Sequence, residues 1–213
     1  MFFAFLSLKY QIVKKFIAIL TIITVVFAAF AAGEWSLEKD KNGIKIYTRR
    51  SESSKLKEFK GIMTIKGSPD QVAAILKDVS QHDKIMFKCR AGTAKVIKKV
   101  SDNEFYTYME IDSPWPASDR DVITLYKFSK GADGIINCQI KAFPEMMPEK
   151  KGFVRVPKTE GYWKMEPLTG GMVRVTNQAL SEPGGSVPDG LANSAAVDAP
   201  YYMLNAIKGL LGG

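Results

Sequence analysis

Three charges in a row, Asp119-Arg120-Asp121, follow a tryptophan fixed between two prolines, Pro114-Trp115-Pro116. Two carboxylates at i and i+2 can contribute to a divalent-cation site, but such ions take about six to eight oxygen ligands, and no further ligands stand nearby. Arg120 between the carboxylates points instead to charge pairing, so either a catalytic cluster or a structural clamp is open at this stretch and no metal is expected. The single histidine, His82, has no cysteine or second histidine at zinc-ligand spacing. No Gly-x-Ser-x-Gly elbow or phosphate loop is present, so nothing supports a triad built on His82. The run Glu182-Pro183-Gly184-Gly185-Ser186 precedes a helix signal that starts at a proline, and turning the chain is a better use for its glycines than cradling phosphate. Cys89 and Cys138 are too few for a disulfide framework. They read as small buried side chains, with a disulfide between them left open.

The elements that must position these groups begin after a distinct amino-terminal stretch. Lys14 and Lys15 precede an uncharged run, Phe16 to Ala32, that closes on Ala29-Phe30-Ala31. A basic start, an apolar middle and a small-residue end predict a secretory signal over residues 1–31 and an exported, periplasmic domain over 32–213. An uncleaved anchor is the alternative, because the run lies at the short limit for spanning a bilayer. Removing residues 1–31 takes Lys9, Lys14 and Lys15 from the formal charge of +8 and leaves +5. That mild excess suits a solvated basic surface with slight attraction to anionic membranes. No dense Lys/Arg run with interleaved aromatics is present, so no nucleic acid partner is expected. The remaining length suits one domain with one core.

Within that domain, strand signals at 43–49 and 57–67 are followed by a helix. Ser68 caps it, Pro69 suits its first position, and Gln71 completes a capping box. Val72, Ile75, Leu76 and Val79 form its apolar stripe. Strand patterns then run to residue 180, with hairpin turns at Ser101-Asp102-Asn103 and at 129–133. A long helix is predicted over 187–211, kinked at Pro200. The order predicts an α+β domain: one curved, mostly antiparallel sheet with helices against one face.

Alternation sorts the strand faces. Phe105, Thr107 and Met109 share an inward face; so do Cys138 and Ile140. Arg120, Val122, Thr124 and Tyr126 share another, opposite Asp121 and Ile123, and Val175, Asn177 and Ala179 a fourth. Thr107, Thr124, Tyr126 and Asn177 are thus polar tips among apolar neighbours. A filled core with satisfied hydrogen bonds and an apolar pocket with a few orienting groups both fit that pattern.

The stretches "PWPASDRDVITLY", "MPEKKGFVRVPKTEGYWKMEPL" and "GGSVPDGLANSAAVDAP" resemble the steroidogenic acute regulatory protein-related lipid-transfer domain, the START domain, over roughly residues 35–211. The resemblance implies a helix-grip fold, in which a curved sheet wraps a long carboxy-terminal helix and encloses a hydrophobic tunnel. It implies a non-enzymatic carrier of a lipid or other hydrophobic molecule, with no cofactor, with transient membrane contact, and acting as a monomer. The expected lining is Phe105, Thr107, Met109, Thr124, Tyr126, Cys138, Ile140, Asn177, Leu191 and Ala195, with Trp115 in a gate loop and Asp119, Arg120 and Asp121 as the clamp that anchors it. Animal sterol-binding members carry a buried acid and an arginine where this sequence has the neutral Thr107 and Tyr126. A cyclase- or hydrolase-like enzyme in the same cavity is the alternative, and an interaction module with a filled core is a third reading.

Overall fold

The computed structural model describes residues 33–213; the segment expected to be a signal, 1–31, lies outside them. The first hairpin joins β1 (Ser36–Lys41) to β2 (Ile44–Arg50). Its two-residue turn has Asn42 and Gly43 at φ 56° and 75°, the left-handed pair that matches strand twist in tight hairpins. β3 (Lys57–Lys66) leads into α1 (Pro69–Lys77). The capping box is formed: Gln71 N–H donates to Ser68 Oγ at 3.3 Å, and Ser68 N–H donates to Gln71 Oε1 at 2.9 Å. α1 buries Val72, Ala73 and Leu76. A turn of 3-10 helix at Val79–Gln81 and the short α2 (His82–Ile85) follow.

Next come β4 (Lys95–Ser101), β5 (Glu104–Ile111), β6 (Arg120–Lys130), β7 (Ile136–Ala142), β8 (Val154–Arg155), β9 (Lys158–Leu168) and β10 (Met172–Glu182). α3 (Asp189–Leu210) closes the chain. The strands form one sheet in the order β1-β2-β3-β10-β9-β7-β6-β5-β4, with every neighbouring pair antiparallel. The two-residue β8 sits off this path and pairs parallel to β6. The helix-grip, α+β architecture expected from the sequence is the one observed.

α3 packs on β2, β3 and α2, while α1 lies against β7 and β9. The carboxy-terminal half of α3 inserts Leu204 and Ile207 fully into the core. Close approach there requires Gly61 on β3, since a Cβ at that position would lie 2.6 Å from Leu204 Cδ1. β6 is buried on both faces. Its inner side joins the main core, and Asp121, Ile123 and Leu125 on its outer side are also buried. On that outer side Phe143 meets Tyr106 edge-on at 5.2 Å, and Arg155 reaches Asp121. This second layer is why the alternation of β6 is blurred in the sequence. No helix among the described residues is long and apolar enough to cross a membrane.

Candidate ligand-binding cavity

The amino-terminal half of α3 carries small residues, Ala192, Ala195, Ala196 and Ala199, where the carboxy-terminal half carries large ones. Small side chains over a curved sheet leave space, and a cavity of about 380 Å³ lies there. That is within the ~300–1,000 Å³ range of small-molecule sites. Met109 from β5, Val122, Thr124 and Tyr126 from β6, Ile140 from β7, Asn177 from β10, and Leu191 and Ala195 from α3 all lie on its wall. Trp163, Phe59, Ala179, Val156 and Met203 complete much of the lining and were not singled out from the sequence. Ala179 shares Asn177's face of β10 and Val122 shares Thr124's, so alternation held the signal for both.

Three expected lining residues lie elsewhere. Phe105 stacks on Tyr126 with ring centroids 5.5 Å apart and on Phe128 at 6.1 Å. Lys77 of α1 lies over the Phe128 ring at 4.9 Å, so this end of the sheet is covered by α1 and filled. Cys138 is completely buried in the same region, and burial drives its thiol pKa up strongly. Thr107 has no exposed surface, and its Oγ1 donates to the Thr124 carbonyl at 3.4 Å. All three face inward as alternation requires, but the cavity lies under α3 and not under α1. Cys89 is half-buried and Cys138 buried; both are free thiols.

Trp115 is 92% exposed and does not cap the cavity. Its loop neighbours Ser113, Pro114 and Ala117 do line the wall, so the ring stands in solvent at the rim. The charged trio also differs from expectation, because Arg120 pairs with neither flanking carboxylate. Its guanidinium donates to the carbonyls of Ser118, Gly184 (3.1 Å) and Pro183 (3.5 Å), and to Ser113 Oγ at 3.4 Å. Burial lowers its pKa, against the opposing charge of Asp119. Asp119 accepts the Ser113 N–H at 2.9 Å and Arg90 Nη2 at 2.6 Å, and both hold its pKa down. Asp121 receives Arg155 on both oxygens at 2.9 Å. Successive strand residues point to opposite faces, so adjacent charges cannot meet. Arg120 and Asp119 instead tie the 113–119 loop to the 183–184 turn and to Arg90, and Asp121 ties β6 to Arg155 of β8.

His82 is buried off the cavity. Its Nε2 donates to the Leu76 carbonyl at 2.9 Å, its ring sits 5.5 Å from Tyr126, and burial depresses its pKa. Among the described residues no group of three or more His, Cys, Asp or Glu could hold a metal ion.

A helix-grip sheet closed by its last helix over an apolar cavity is the architecture of a hydrophobic-ligand binding domain. The chain belongs to the START domain family, which matches residues 27–199. It is similar to the crystal structure of a STAR-related lipid transfer protein from Xanthomonas axonopodis, with a TM-score of 0.77 and 37% identity over 84% of this chain and 99% of that one. An uncharacterized protein from Pseudomonas aeruginosa is 41% identical over 84% of this chain and 86% of its own length. The phosphatidylcholine transfer protein of Rattus norvegicus is 26% identical over 84% and 85% respectively.

Proposed function

We propose that the protein is a non-enzymatic carrier that holds one lipid or similar hydrophobic molecule beneath α3 and transfers it between membranes of the cell envelope. The apolar cavity between α3 and the sheet carries this reading. Burying a ligand's apolar surface there is worth roughly 25 cal/mol per Å². Thr124, Tyr126 and Asn177 are the polar groups that orient its head, with Thr107 supporting Thr124 from behind. The exposed Trp115 ring meets the membrane interface, where amphipathic aromatics are favoured. Export through residues 1–31 would place the domain in the periplasm, as a monomer.

The titratable groups on the wall favour binding over turnover. Burial raises the Tyr126 pKa far above its ordinary value, so its phenol stays neutral and is no base. Asp198 is paired with Lys39 at 2.8 Å, and Asp112 with Arg90 at 2.6 Å. Related folds do include cyclases, but an acid or base poised over the cavity is what such a reading would need here.

Native mass spectrometry of protein purified from a bacterial periplasm without detergent tests this. The expected spectrum shows a discrete added mass of lipid size, lost on organic extraction, on a chain that lacks residues 1–31. A bare protein mass that persists after incubation with liposomes would refute the carrier reading.

A further inference from the structure

The cavity wall includes Asn177, whose Oδ1 has no partner among the described residues, and Ala196, whose carbonyl has lost its usual helical donor. Asn177 is 1% exposed and lies on the wall. Its Nδ2 donates to the Tyr162 carbonyl at 3.3 Å, while its Oδ1 has no partner. Turning the amide over would set Oδ1 against that carbonyl, so the acceptor is the group left free.

The second acceptor comes from the helix. Pro200 sits inside α3 and has no N–H to give the carbonyl of Ala196, four residues back. Ala196 is also on the cavity wall. Pro200 faces the sheet at Gly61, the residue that pairs with Asn177 across β3 and β10. Helix and sheet therefore each place on the wall of one cavity a residue with an acceptor short of a donor, Ala196 and Asn177.

A buried acceptor without a donor is unfavourable, and an anion would add negative charge beside Asn177 Oδ1 and the Ala196 carbonyl. Arg120, the buried cation on this wall, does not offset that, because its N–H groups engage the carbonyls of Ser118, Pro183 and Gly184; of the two lysines that also line the cavity, Lys57 is paired with Glu38 at 3.1 Å and Lys88 is exposed. We propose that this subsite takes the hydrogen-bond-donating end of an uncharged lipid, a free hydroxyl, and disfavours a carboxylate or phosphate. The inference rests on the carrier reading and names the ligand class for the same cavity.

The test uses three probes with one chain length: decanol, its methyl ether and decanoate, each titrated into the intact protein below its micelle concentration. Tryptophan fluorescence reports binding through Trp163 on the wall. Decanol is expected to bind about tenfold more tightly than the ether, the worth of one hydrogen bond to a buried acceptor, and more tightly still than decanoate. Asn177→Leu and Pro200→Ala each remove one free acceptor, the second by restoring an N–H to the Ala196 carbonyl, and each should move the alcohol-to-ether ratio toward unity. Should Asn177→Leu fail to fold, Pro200→Ala decides alone, since it replaces a helix-breaking residue with a helix former. Equal binding of decanol and its ether, tighter binding of decanoate, or a preference untouched by the substitutions overturns the subsite and leaves the carrier standing. Binding of none of the three overturns both.

Discussion

Replacing Asp121 by asparagine keeps the volume of the side chain and removes its charge. Arg155 is then left with no counter-ion at a site where its side chain is 4% exposed and Asp121's is 0% exposed. A guanidinium cannot escape by losing its proton, so the cost appears in stability. Breaking a buried pair by removing one partner costs about 3–5 kcal/mol. The lower end applies here, because Arg155 also donates to the carbonyls of Pro144 (2.5 Å), Met147 (3.0 Å) and Pro148 (3.1 Å). Those bonds survive the substitution and keep the cation partly solvated. About 3 kcal/mol corresponds to a fall in Tm of roughly 6–12 °C for a domain of this size. Urea unfolding of Asp121→Asn should show an earlier midpoint at unchanged slope. The pair Asp121→Leu with Arg155→Met should recover part of the loss, but not all of it, because three carbonyls lose their donor. An Asp121→Asn protein within about 0.5 kcal/mol of the parent, the range of ordinary surface substitutions, would refute this account of how the 144–155 segment is held.

His82 should make stability fall in mild acid. Burial depresses its folded pKa, so the unfolded chain takes up a proton first as pH drops below about 6.5, and stability is lost from there down to the folded pKa. Urea titrations between pH 7 and 5 should show the loss, and His82→Leu should flatten it; an unchanged slope would show that His82 is not the group responsible. Trp115→Ser should leave stability within about 0.5 kcal/mol, as for other exposed sites, yet slow lipid transfer between vesicles; equal transfer rates would remove Trp115 from the membrane contact. In hydrogen exchange the amides of residues 190–199 should exchange faster than those of 201–210, and uniform protection along α3 would contradict the division of that helix described below.

Local signals in the sequence reached the elements well. The Ser68–Gln71 capping box, the Ser101-Asp102-Asn103 turn and the alternation of β7 each act over a few residues, and each is formed; on β5 and β10 the outward Tyr108, Glu110 and Thr176 are buried as well. The resemblance carried by the Pro-Trp-Pro and Met-Pro-Glu-Lys-Lys-Gly stretches supplied the wrapping of the sheet around α3. What local pattern could not give was position along a face. Phe105, Thr107 and Cys138 point inward just as Met109, Thr124 and Ile140 do, and only the placement of α1 and α3 over the sheet separates filled core from cavity. Partners distant in sequence were equally hidden. Arg90 reaches Asp119, and Arg155 reaches Asp121, across loops that no periodicity predicts. The adjacency of Asp119, Arg120 and Asp121 suggested mutual pairing, although the same alternation that sorted the faces forbids it.

A cavity is a region where close packing, the main source of native stability, is missing. The molecule concentrates its packing at the two ends of that gap. Leu204 and Ile207 fix the carboxy-terminal half of α3 over Gly61. On the other side, Arg120 and Asp119 tie the 113–119 loop to the 183–184 turn and Arg90, and Asp121 ties β6 to Arg155. Between these anchors the amino-terminal half of α3 has no side-chain cap at Pro188, covers the cavity with alanines, and is separated from the docked half by Pro200. Few large side chains and a missing backbone hydrogen bond are the features of segments that open locally at low free energy. The half-helix that covers the cavity is therefore lightly packed against the sheet, and on the carrier reading a bound molecule would leave by its opening without unfolding the sheet that shapes the site.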